Sequence, residues 1–127
     1  MKDRQRPGAI LRDNWREHFE SLAANLRGAN VYVTIDLDCL RKEDVVTNWE
    51  NGRFEVVDLE WALGKLREHV RIIGGDICGA YSEPKYARWK QKFASEWDHP
   101  KLELANALEI RKINLATLDR LWPALAQ

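Results

Sequence analysis

The chain has 127 residues, 45% of them hydrophobic and 31% charged, which suits one globular domain and argues against disorder or two domains of ordinary size. Twenty basic side chains balance twenty acidic ones, leaving no net field for phosphate backbones or anionic lipid, so neither nucleic acid nor a membrane is an expected partner. No apolar run approaches the roughly 20 residues of a spanning helix, and the charged start from Met1 to Arg6 has no apolar segment behind it, so the expected location is the cytoplasm.

In chain order, Leu11, Trp15, Phe19, Leu22 and Leu26 recur at spacings of three and four, which predicts a helix over 9–27 with one apolar stripe. Gly28 suits its C-terminal stop. Val31 to Leu37 is short, β-branched and almost continuously apolar, the pattern of a strand buried on both faces of a parallel sheet. A polar loop over 41–57 follows, with the turn pair Asn51-Gly52 inside it.

Asp58 is placed to cap a second helix, in which Leu59, Ala62, Leu63, Leu66 and Val70 share a face. Arg71 to Cys78 is then a second strand, and Gly74-Gly75 within it predicts a bulge or a close backbone approach. Ser82-Glu83-Pro84 resembles a helix start, with Tyr86, Trp89, Phe93 and Trp97 forming an aromatic stripe that Asp98-His99-Pro100 interrupts. A last helix is expected from about Lys101 to Leu121, broken near Asn114.

The alternation of helices and strands predicts a single α/β domain over 1–127, built as a short parallel sheet flanked by helices. Two strands are few for such a sheet, whose edges must be covered by the chain's own helices, a second copy or a partner segment. A homo-oligomer, most simply a dimer, is the expected solution.

Asp36 and Asp38 stand at the carboxyl end of the first strand, where open α/β sheets place their ligands. Residues two apart on a strand project to one side. Converging carboxylates repel unless a cation or donors neutralise them, so a divalent metal is one reading. The other is a turn cap for one and solvation for its neighbour. Asp76, among apolar neighbours, needs a partner, with a hydrogen bond to backbone or arginine expected. His99 has the chemistry of a ligand or base, and Trp49 is a loop aromatic beside the strand ends. Trp49, Asp76 and His99 are therefore candidates to line a pocket. Cys39 and Cys78 fall in apolar segments without a C-x-x-C spacing and read as buried reduced thiols, with a pairing between them left open.

Thr34-Ile35-Asp36-Leu37-Asp38 resembles the penultimate strand of the arginase and agmatinase (ureohydrolase) family, and Ile73 to Cys78 resembles its last strand. The resemblance covers roughly residues 30–82. It implies the C-terminal portion of that family's three-layer fold, with Asp36 and Asp38 as two carboxylate ligands of a Mn²⁺ pair that activates water. The pattern departs from the family at Arg41-Lys42, where an Asp-Pro is usual, and at Gly79, where a substrate-binding Glu is usual. The family's Gly-Gly-Asp-His and Asp-Ala-His-x-Asp motifs do not occur in these 127 residues. The resemblance therefore implies a metallohydrolase fragment with part of a binuclear site, not catalytic alone, for which a missing N-terminal segment would be a partner. The alternative is a non-catalytic, self-associating module that binds a metal or small ligand. A haloacid-dehalogenase-type phosphatase, with Asp36 as nucleophile and Asp38 as acid, would need a Gly-Asp-x-x-x-Asp segment, and Gly75-Asp76 is followed at that distance by Ala80.

Overall fold

The computed structural model of the chain describes residues 10–82 and 107–127. The expected aromatic helix, the Asp98-His99-Pro100 interruption and the start of the last helix lie outside the described residues. In chain order the elements are α1 (Trp15–Asn25), β1 (Asn30–Asp36), a 3₁₀ turn (Leu37–Cys39), α2 (Val56–Arg67), β2 (Arg71–Cys78) and α3 (Ala107–Ala126). The strands pair in parallel, with Asn30 opposite Arg71 and Asp36 opposite Cys78. The class is mixed α/β, with a two-stranded parallel sheet and three helices among the described residues.

β1 is not buried on both faces. Val31, Val33 and Ile35 turn toward the helices, while Tyr32, Thr34 and Asp36 are exposed, Tyr32 to 61%. The reason lies in β2, where the alternation also leaves Asp76 and Cys78 exposed, so the sheet has one covered and one open face. The register slips between Val31 and Tyr32, across from Ile72 and Gly74, so Ile73 is the extra residue of a bulge. Next to it, a Cβ on Gly75 would lie 2.7 Å from the Val33 carbonyl oxygen and 2.9 Å from the Leu125 side chain. Of the two expected purposes the glycine pair serves the close approach, and the bulge falls on the neighbouring Ile73.

The core lies under the covered face, where Ile35, Leu37, Leu40, Val45, Val56, Leu63, Leu121 and Leu125 pack together. α1 contributes Ala23 as its buried residue, whereas Leu22 and Leu26 of the expected stripe are exposed. The helix is therefore rotated so that Trp15, Phe19 and Ala23, four residues apart, face inward. Trp15 packs edge-on against Phe54 and Trp61, with centroids 5.0 and 5.3 Å away. Gly28, at φ 79°, ends the segment as the sequence predicts.

α2 starts three residues earlier than Asp58 would cap it. Glu55 is the N-cap, and Asp58, one turn in, accepts the Glu55 amide at 2.9 Å, which makes half of a capping box. α3 does not break at Asn114 and continues past Leu121 through Pro123. Asn114 stays helical because its side chain finds partners away from its own backbone: its oxygen accepts the Val46 amide at 2.8 Å and its nitrogen donates to the Val46 carbonyl at 2.9 Å. None of the described helices is long and apolar enough to cross a membrane.

Candidate functional site

The carboxyl ends of β1 and β2 open under the segment from Leu40 to Glu55, which is more ordered than its polar sequence suggests. Leu40 and Phe54 form a parallel bridge, and Val45 is fully buried. Arg41 stands where the resembled family has its Asp-Pro, and it ties the segment down: its guanidinium meets Asp44 at 3.0 Å and Glu55 at 2.9 Å. Asp44 in turn accepts the first amide of α2, from Val56, at 3.2 Å. Asn51 donates to the Leu40 and Val45 carbonyls. Gly52 is needed less for a turn than for contact, because a Cβ there would run into the Cys39 carbonyl. On the far side Asn48 and Ser82 exchange two hydrogen bonds of 2.8 Å, and the Tyr81 amide donates to Val46 at 3.0 Å.

Within this frame β1 ends at Asp36. The chain passes into the 3₁₀ turn, whose N-cap is Asp36 itself: its Oδ1 accepts the Asp38 amide at 3.4 Å. The strand alternation that would aim both carboxylates to one side therefore stops one residue short of Leu37. The turn-cap arrangement weighed above describes Asp36, and Asp38 follows it on the turn, half-buried. Gly79 closes on the same oxygen. It has φ 84°, and a Cβ there would run into Asp36 Oδ1 and lie 3.2 Å from the Leu37 nitrogen. The position that carries a substrate-binding Glu in the resembled family is here one where any side chain collides with Asp36. Oδ1 thus accepts one amide and lies close to Gly79, while Oδ2 of Asp36 and the Asp38 carboxylate have no hydrogen-bond partner among the described residues.

Acidic charge gathers at this end of the sheet. Asp36 faces Cys78 across the strands and Thr34 faces Asp76. Desolvation first, and then the carboxylates of Asp36, Asp76 and Asp38, push the Cys78 thiol above its ordinary value. Burial and then Asp38 and Asp36 push the Cys39 thiol up to about 11. Both cysteines are free, as expected, but only Cys39 is even half-buried, and Cys78 lies exposed on the open face. Asp76 finds its partner in neither backbone nor arginine: the Tyr32 hydroxyl donates to its Oδ2 at 3.0 Å. The Tyr32 ring crosses the sheet to do so, over Gly74, where a Cβ would approach it to 3.1 Å.

Of the other candidates, Trp49 is 63% exposed in the loop above the strand ends, and His99 lies outside the described residues. A groove of about 310 Å³ runs between Ala80-Tyr81 and the first half of α3, along Ile110, Arg111, Leu115 and Leu118. Trp49 and Asp76 are not among the described residues that line it. Of the described residues, no three His, Cys, Asp or Glu side chains gather as a metal-binding group. Two carboxylates fit one cation as a partial ligand set and do not fit a closed binuclear pair, so no hydrolytic step is derived through Mn²⁺. Gly79 and Arg41 escaped sequence reasoning as site-shaping residues. The signal for Gly79 was a glycine directly after a strand, where the chain must turn.

Comparison with models of protein families, with curated proteins and with solved structures found no match for this chain.

Proposed function

We propose that these residues form part of an arginase-like metallohydrolase, retaining two carboxylates of a binuclear metal site and not catalytic by themselves. The observation that supports this reading is Asp36: at the carboxyl end of a parallel strand, one of its oxygens accepts the Asp38 amide and lies where a side chain at Gly79 would have to go, while the other has no hydrogen-bond partner among the described residues. A metal ligand needs that combination of a locked carboxylate and a free lone pair. Bound there, a divalent cation would supply Lewis acidity, and these residues would hold it through Asp36 and Asp38. The remaining ligands of a hydrolytic pair would have to come from outside them.

The test is nuclear magnetic resonance with substoichiometric Mn²⁺, whose paramagnetism broadens signals near its site. Amides of 36–39 and 76–79 should broaden first. Broadening spread evenly over the surface acids, or centred elsewhere, would contradict the reading.

A second reading, a self-associating module without catalysis, is favoured by one specific observation. Residues 31–36 and 72–78 make backbone hydrogen bonds only to each other among the described residues, so no described segment pairs with either outer edge of the sheet. The two readings are compatible, since a partial site and an open edge belong to the same incomplete sheet.

A further inference from the structure

The two sheet edges left open by the described residues are not equivalent. β2 is interrupted by the bulge at Ile73, by Gly74-Gly75 and by the charge of Asp76, devices that protect an edge against added strands. β1 has none of them. It reads Asn-Val-Tyr-Val-Thr-Ile-Asp, with no proline, glycine or lysine and no charge before its last residue. Five consecutive β-branched or aromatic residues present an unbroken row of amides and carbonyls.

The β1 sequence is also self-complementary when reversed. Antiparallel pairing about Val33 sets Val31 opposite Ile35 of a second copy, Tyr32 opposite Thr34, and Val33 opposite Val33. Val31, Val33 and Ile35 all belong to the covered face, and Tyr32 and Thr34 to the open face, so this register keeps every side chain on its own side. A slip by one residue would put Val31 against Asp36 and turn the covered face outward. A slip by two would shorten the overlap. At the ends, Asp36 meets the neutral amide of Asn30, so no like charges oppose each other.

From this we infer that β1 is the dimer interface: two copies pair their β1 strands antiparallel about Val33, giving a four-stranded sheet with β2 at each outer edge. The inference rests on the self-associating reading above and names its surface. An isologous contact of this kind closes on itself and stops at two copies, because the protected β2 edges do not extend it.

Analytical ultracentrifugation of the wild-type chain across micromolar concentrations reads the mass. Cross-linking reads the register. Tyr32→Cys and Thr34→Cys are made separately, each in a background with Cys39 and Cys78 replaced by serine, and oxidised with copper phenanthroline alone and as a mixture. Both side chains are exposed, so neither change disturbs the core. Directly opposed positions on antiparallel strands hold their Cβ atoms about 4.5–5.5 Å apart, within reach of a disulfide. The expected result is a dimeric mass and a covalent dimer that forms in the mixture and not in either variant alone. A monomeric mass would overturn both this interface and the self-associating reading. A dimer that fails to cross-link in the mixture, or cross-links as well in each variant alone, would overturn the interface and leave self-association standing.

Discussion

Gly79 shows how much a single backbone angle controls at the strand ends. A left-handed residue other than glycine costs about 1–2 kcal/mol in itself, and here the added Cβ would also displace Asp36 Oδ1. Gly79→Ala should therefore destabilise the fold by about 1–3 kcal/mol in urea titration, and the Asp38 amide should lose its protection from exchange. Asp58 gives a pH-dependent prediction. Burial pushes its carboxyl up, but the Glu55 amide and the Arg16 guanidinium, 2.9 Å away, outweigh that and hold it below the ordinary 3.8. A carboxyl depressed in the folded state adds stability that is complete above its unfolded value and is lost as pH falls through the folded one. Asp58→Asn should therefore be less stable than wild type at neutral pH, and the gap should narrow below about pH 4. At this scale the sequence exposed Asp36 and Asp38 as a pair but not their geometry. Leu37 continues the apolar pattern of the strand, so nothing local announces that the strand has already ended.

The elements follow the periodicities more closely than single residues do. The bounds of β2 coincide with the expected Arg71–Cys78, and the inner face of α2 holds Ala62 and Leu63 as expected, whereas Val70, expected on the same helix, is buried in the turn beyond its end at Arg67. Differences arise where a tertiary contact overrides a local preference. Asparagine ordinarily ends a helix by bonding its own backbone, but Asn114, 7% exposed, spends its amide on Val46 instead. No local pattern in 107–126 could show a partner 68 residues away. Thr117 makes the same kind of bond to the Asp44 carbonyl, so α3 is fastened to the loop at two successive turns. Asn114→Ala would leave the half-buried Val46 amide without its acceptor, while the Val46 carbonyl keeps the Tyr81 amide, and should cost about 1–2 kcal/mol in chemical denaturation. Arg120→Ala, which removes only an exposed pair with Glu60, should cost less than about 1 kcal/mol.

At the scale of the molecule, the two-stranded parallel sheet of the described residues, with one face exposed, is an incomplete layer. The expected α/β class and parallel pairing follow from alternating periodicities and were readable. Burial of both strand faces was not, because Val31 to Ile35 has the same β-branched composition whether or not a second layer covers it. The same incompleteness bears on function. Two carboxylates without further ligands among the described residues predict that the purified chain releases no urea from arginine when Mn²⁺ is added, and colorimetric urea detection checks this. Asp36 and Asp38 are proposed to hold a divalent cation together. The direct measurement is isothermal calorimetry with Mn²⁺ on the wild-type chain and on Asp36→Asn/Asp38→Asn, which keeps the oxygen that accepts the Asp38 amide and removes both charges. Saturable binding is expected in the wild type and should disappear in the double variant. No saturable heat in the wild type, or the same heat in both proteins, would contradict it.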